Sequence, residues 1–313
     1  MKLSSNVIMA FFAVALITAP SYAQPKREKP LKVIAIGNSF SICVGKEMPK
    51  IAKDLGYPLD FCSLYIPGCT LERHAANLDH PKENYYLITW DYVSSAKGEE
   101  PFKDQLYLNN EKRSFSNIER MLKADKWDVV TVQQASHESW REKSYEPHGT
   151  KLLDMIKKCA PQAKVYVQQT WTYTPWSERL GLWGFDQNQM FEKLEAAYDK
   201  FAKNHNLETI KMGKAVQRFR KELPVKYIDD EGKDSNAYDV VGVNKFKKRK
   251  DGRYWIDGDA FHLNRKGEYL QALVWTAKLF NADVTKCKYV PQYLKDSPDT
   301  VKLMQKIANE VAK

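Results

Sequence analysis

Residues able to carry out nucleophilic catalysis stand in two short segments near opposite ends of the chain. Ser39 lies in Ile34-Ala35-Ile36-Gly37-Asn38-Ser39-Phe40-Ser41, an apolar run that enters a Gly-Asn-Ser turn, and Asp259-Ala260-Phe261-His262 follows far downstream. A serine hydroxyl is a weak nucleophile until an imidazole takes its proton. The imidazole in turn needs a carboxylate to fix its tautomer and stabilise its cation. A serine after a strand is, alone, an ordinary helix cap. Its co-occurrence with Asp-x-x-His just before the last core helix is what points to chemistry.

The elements that must position these groups alternate short apolar runs with amphipathic stretches, a pattern that predicts a parallel sheet with helices on both faces. Strands are expected over 31–36, 59–65, 128–133 and 164–169, and helices over 44–55, 116–123, 149–159, 187–205, 213–221, 266–280 and 298–312. Met190, Phe191, Leu194, Ala197, Tyr198 and Phe201 follow helical spacing and read as core. Two stretches break the alternation, an aromatic-rich hairpin-like insertion at 84–110 and a charged excursion at 223–256. In an open α/β sheet the carboxyl ends of the strands form the site. Ser39 is expected there, and the second excursion delivers Asp259 and His262 to the same edge.

Lys2, the apolar run Val7 to Ala19, and the small residues Ser21 and Ala23 read as a signal peptide over 1–23, cleaved before Gln24. The apolar run is shorter than the roughly 20 residues a membrane span needs, so none is expected after cleavage. A linker over 24–30 then leads into one domain over 31–313, and the protein is expected to be exported, to the periplasm or beyond. The formal net charge of +10 favours anionic partners by long-range steering. Scattered solubilising lysine accounts for most of it; the dense block is Lys245-Phe246-Lys247-Lys248-Arg249-Lys250, and no nucleic-acid fold signature accompanies it. Cys43, Cys62, Cys69, Cys159 and Cys287 match no zinc spacing. One bridge among the first three and buried free thiols both remain open. No metal or cofactor constellation is present in the sequence.

Three stretches resemble the SGNH (GDSL-like) hydrolase superfamily. Gly37-Asn38-Ser39-Phe40-Ser41 looks like its first block, with Asn38 where many members carry Asp; Gly68 looks like the second-block glycine; and Asp259-Ala260-Phe261-His262 looks like the last-block Asp-x-x-His. Gly68 to His74, Gln133 to His137 and Gln168 to Tyr173 resemble a branch found in gut-type Bacteroidota proteins. The resemblance implies a three-layer α/β/α sandwich with a central parallel sheet. It also implies ester hydrolysis by Ser39, His262 and Asp259, with an oxyanion hole from the Ser39 and Gly68 amides and a side-chain donor from the third block. That block departs from the family's Gly-x-Asn-Asp. Ala135-Ser136-His137-Glu138 stands there, leaving His137 or the nearby amide Gln134 as the third donor.

His137, His74 and Trp171 are expected to meet substrate, Trp171 because it follows the fourth strand and aromatic faces bury sugar rings well. The sequence reading is therefore a serine esterase that removes small acyl groups, acetyl foremost, from carbohydrate. A lipase or thioesterase using the same triad is one alternative, and a glycan-binding module without catalysis is the other.

Overall fold

The run Leu31–Gly37 forms a strand, β1, in which Val33, Ile34, Ala35 and Ile36 are all fully buried. Such a continuous apolar run suits a strand covered on both faces. In this computed structural model, which describes residues 29–82, 84–90, 106–108, 111–222, 239–248 and 254–313, β1 pairs in parallel with β2 (Leu59–Tyr65) on one side and β6 (Val129–Val132) on the other. The parallel set continues through β7 (Lys164–Gln168) to β8 (Glu208–Ile210). Beyond β2 the sheet turns antiparallel through β3 (Tyr85–Trp90), β5 (Glu111–Ser116) and β4 (Leu106–Leu108). Among the described residues the sheet has eight strands in the order β4-β5-β3-β2-β1-β6-β7-β8.

The fold is the expected α/β/α sandwich, its parallel core extended at one edge by three antiparallel strands, of which β3 and β4 fall in the first insertion and β5 just after it. Helices cover both faces. On one, α9 (Arg265–Phe280) packs against α2 (Met48–Asp54), α8 (Met212–Glu222) and α10 (Pro298–Val311). On the other, α5 (His148–Cys159) packs against α3 (Leu71–Asp79) and α4 (Ile118–Ala124). Helix α7 (Gln187–Asn204) starts with a capping box of Asp186 and Gln189 and buries Met190, Leu194, Ala197, Tyr198 and Phe201 along one stripe. Phe191 is only partly buried.

Where one helix is expected over 44–55, the chain forms a 3-10 turn at Cys43–Lys46 and then α2, and a short helix, α1 (Ser39–Ile42), precedes them. Pro49 sits in the first turn of α2, where its missing N–H costs nothing. Three short elements, α3, β8 and α6 (Glu178–Trp183), were not legible in the sequence. Each has too few residues to establish a period.

The expected signal peptide, most of the linker, and the greater part of both insertions lie outside the described residues, as do the side chains of the basic run from Lys245. Among the described residues no helix is long and apolar enough to cross a membrane. All five cysteines are free.

Candidate active site

The chain runs outward from β1 to β2 and later returns to β6 on the other side of β1. That reversal makes a crevice beyond the carboxyl ends of β1 and β6, as in other open α/β sheets. Ser39 follows β1, Gly68 follows β2 and His137 follows β6, so three parallel strands deliver them to one edge.

Asp259 and His262 arrive differently. They lie in β10 (Tyr254–Leu263), which pairs with β9 (Val241–Lys248) as a separate two-stranded antiparallel ribbon. Residues three apart in a regular strand point to opposite faces. Here the pairing register shifts between Asp259 and Leu263, and this irregularity turns both side chains to the same side.

Asp259 Oδ2 is hydrogen-bonded to His262 Nδ1. Its Oδ1 accepts from the Phe261 and His262 amides, each at 2.8 Å. His262 Nε2 lies 2.8 Å from Ser39 Oγ, closing a Ser39–His262–Asp259 chain. Burial alone would raise the Asp259 carboxyl, but the hydrogen bonds from the His262 side chain and the two amides outweigh it and hold the pKa below the ordinary aspartate value.

The segment bearing Asp259 and His262 is fastened from below. Trp171 Nε1 donates to the Phe261 carbonyl at 2.8 Å, and Thr174 donates to the Ala260 carbonyl through its amide (2.9 Å) and its hydroxyl (3.2 Å). A buried ion pair anchors the start of the ribbon: Arg220 of α8 donates to both Asp239 oxygens (3.0–3.2 Å) and to Thr172 Oγ1 (2.6 Å). Asp239 Oδ1 in turn accepts from the Val240 amide at 2.7 Å.

The nucleophile side is equally fixed. Asn38 caps α1 by accepting from the Phe40 amide at 3.0 Å. The same Oδ1 accepts from Gln133 Nε2 at 2.5 Å, while Asn38 Nδ2 donates to the Cys69 carbonyl at 2.9 Å. The Phe40 carbonyl accepts from Gln168 Nε2 (2.8 Å) and Gln271 Nε2 (2.7 Å). The paired glutamines at the ends of β6 and β7 are therefore struts, for Gln169 Oε1 accepts from the Lys214 amide at the start of α8.

Gln134 does not reach the crevice. Its Nε2 donates to the Ser144 carbonyl (2.9 Å) and hydroxyl (3.0 Å), and its Oε1 accepts from the Leu71 and Ala135 amides. A fully committed amide has no proton left for a third-donor role. His137 is half-buried and does line the crevice. Burial, reinforced by Arg179 and Arg141 against the opposing pull of Glu138, lowers its pKa, favouring the neutral ring.

The expectations that His74 and Trp171 meet substrate are corrected by burial. His74 is wholly enclosed, with Nδ1 2.8 Å from the Tyr85 hydroxyl and its ring stacked on Tyr85. Trp171 is also fully buried, stacked on Phe40 at 4.2 Å between centroids. It supports the crevice without facing it.

Two depressions meet at Ser39 and His262. One, of about 360 Å³, is lined by Tyr65, Pro67, Gly68, His137, Arg179 and Phe261 among others. The second, of about 280 Å³, is lined by Ile42, Cys43, Lys46, Leu263 and Glu268, with Lys46 and Glu268 paired at 2.7 Å. Gly68 has φ +59 and nothing within 4 Å of where a Cβ would be, so backbone conformation favours glycine there. Among the described residues neither the Ser39 nor the Gly68 amide donates to a backbone carbonyl. The Cys43 thiol beside Ser39 offers no rival nucleophile: burial, with Glu268 acting in the same direction, pushes its pKa up to about 12. A further depression of about 390 Å³ lies at the opposite end of the sheet, where Lys164 and Lys278 pair with Glu208. It holds no such nucleophile and base.

Arg179 and Phe261 are among the crevice residues that sequence reasoning missed, with Tyr65, Lys46 and Glu268. Nothing in a lone Arg on a six-residue helix signals a site.

The sandwich thus carries a Ser-His-Asp chain at the carboxyl ends of its parallel strands, an arrangement suited to nucleophilic catalysis. The chain belongs to the DUF4886 family, a domain of unknown function, whose model matches residues 32–239. A DUF4886 family protein from Bacteroides uniformis is similar in fold, with a TM-score of 0.70 and 24% identity over 90% of this chain and 95% of that one. A family 3 carbohydrate esterase from Clostridium thermocellum matches at TM-score 0.41 and 14% identity over 81% and 98%. A GDSL-like lipase from Bacteroides thetaiotaomicron matches at 0.37 and 13% over 79% and 87%. No curated protein matches the chain significantly in sequence.

Proposed function

We propose that the protein is an exported serine esterase that removes small acyl groups, acetyl foremost, from carbohydrate. The observation that carries the reading is the 2.8 Å contact of Ser39 Oγ with His262 Nε2, on a ring whose other nitrogen is held by ionised Asp259. In that arrangement His262 Nε2 accepts the hydroxyl proton as Ser39 Oγ bonds to the ester carbonyl carbon. The resulting oxyanion takes hydrogen bonds from the Ser39 and Gly68 amides, and His137, which lines the same depression, is our candidate for a third donor. Such donors act on charge that develops only in the transition state. Collapse of the tetrahedral species passes the proton from His262 to the departing alcohol. Water, deprotonated by the same ring, then releases the acid and restores Ser39.

A small acyl group is favoured because the depression lined by Ile42, Cys43 and Leu263 beside the serine is limited to about 280 Å³. The carbohydrate part rests on the expected export and on a crevice that sets the aromatic rings Tyr65 and Phe261 beside the polar groups His137 and Arg179. The same triad would also serve a lipase or thioesterase.

Hydrolysis of a chromogenic acetyl ester by the mature chain, beside Ser39→Ala, is the direct test, followed by acetate release from acetylated glycans. The expected result is turnover that vanishes in Ser39→Ala. A correctly folded wild-type protein without turnover on any ester would overturn the esterase reading and favour a glycan-binding module. Turnover confined to long-chain or thiol esters would favour the lipase or thioesterase reading.

A further inference from the structure

We infer that Arg179 forms an anion-recognising subsite beside Ser39, selecting esters whose sugar carries a carboxylate, a hexuronate. The inference rests on the esterase reading and narrows its substrate class. Arg179 lies on α6 and lines the same depression as Ser39, Gly68, His137 and His262. Its guanidinium carbon stands 5.0 Å from the centre of the Phe261 ring, and that ring stands 4.4 Å from His262. The cation is thus separated from the base of the triad by one aromatic ring, a separation a single pyranose can bridge.

The guanidinium is held as a recognition group would be. It rests over Phe261, lies 5.9 Å from the Tyr173 ring, and directs one N–H toward the Tyr173 hydroxyl at 3.5 Å. Stacking uses the face of the planar group and leaves its N–H edge for hydrogen bonding. That edge matches a carboxylate, which accepts two parallel N–H bonds. Among the described residues no acid pairs with Arg179. Asp259 is committed to His262 and two amides, and Glu138 is within 3.6 Å of Arg141. The side chain is exposed and preorganised by rings that also pack the triad.

His137 lines the same depression as a half-buried imidazole with no hydrogen bond among the described residues, so a neutral N–H donor accompanies the cation. The net charge of +10 would draw an anionic glycan toward the protein in the same sense.

The discriminating substrates are a methyl glucuronoside and a methyl glucoside acetylated at the same hydroxyl, which differ only in carboxylate against hydroxymethyl. The wild type is expected to prefer the glucuronoside by about tenfold or more in kcat/KM, a preference that weakens with added salt. Arg179→Met should bring the ratio close to one, mainly through KM, and Arg179→Lys should retain part of it. A wild-type ratio near one, or a ratio that Arg179→Met does not move, overturns the subsite while leaving the esterase reading intact.

If neither ester is turned over, binding separates the two claims. Unacetylated methyl glucuronoside and methyl glucoside are titrated into Ser39→Ala with and without Arg179→Met. Preferential glucuronoside binding that disappears with Arg179→Met supports the subsite even where the esterase reading has failed. Equal binding of both sugars overturns it.

Discussion

Asn38 donates its side-chain amide to the carbonyl of Cys69 at 2.9 Å, joining the residue before Ser39 to the residue after Gly68. The two backbone amides proposed to stabilise the oxyanion therefore belong to turns tied by one side chain. Its Oδ1 simultaneously accepts from Phe40 and Gln133, so every polar valence of the amide has a partner except one proton.

Asn38→Asp keeps the shape and the cap but sets a carboxylate oxygen against the Cys69 carbonyl. Leaving a buried acceptor unpaired costs about 1–3 kcal/mol. Denaturant unfolding should show a loss of that order, and kcat should fall with KM little changed, because the linked turns drift apart. An Asn38→Asp protein as stable and as active as the wild type would mean that this link positions nothing.

Asp259→Asn retains the size of the side chain but lets the imidazole adopt the wrong tautomer, and kcat is expected to fall by about 10³- to 10⁴-fold. The sign of the pH effect follows from the lowered pKa of Asp259. Its stabilising contribution is present above the unfolded aspartate pKa of about 3.9 and is lost as pH falls through the lower folded value. Carboxyl chemical shifts followed through acid titration should place Asp259 below the ordinary aspartates. The stability gap between wild type and Asp259→Asn should close at the acid end.

Trp171→Phe preserves much of the stacking on Phe40 and removes the N–H that holds the Phe261 carbonyl. Because Trp171 is buried, the expected kinetic signature is a lower kcat at an unchanged KM, with a stability loss of about 1–3 kcal/mol from the unpaired carbonyl and the smaller ring. A large rise in KM alone would return Trp171 to the sugar-binding role expected from sequence.

His74 supplies a pH-dependent liability. Burial, assisted by Arg73, lowers its pKa from 6.5 to about 3. Between those values the unfolded chain holds a proton that the folded chain refuses, so stability falls as pH drops through this window. At about 1.4 kcal/mol per unit, the loss amounts to a few kcal/mol. His74→Gln should be less stable at neutral pH yet show a flatter stability profile from pH 6.5 down to 4. Parallel profiles for the two proteins would show that His74 titrates as freely when folded as when unfolded.

Residue order by itself determined the buried parallel strands, because Val33 to Ile36 and Val129 to Val132 can be satisfied only between two covering layers. It also determined the pairing of Ser39 with Asp259 and His262, since nucleophile, base and orienter are chemical types that stand in recognisable blocks. What it could not carry was exposure. His74 and Trp171 read as groups for a substrate, yet Tyr85 of the next strand encloses the first, and Phe40 and Phe261, brought from distant parts of the chain, enclose the second. The choice between Gln134 and His137 likewise depended on Ser144 and Leu71, whose positions beside Gln134 only packing decides. Arg179 acquires meaning only because α6 lays it over Phe261. The register shift that turns Asp259 and His262 to one side is a property of paired strands, and no single stretch of sequence expresses it.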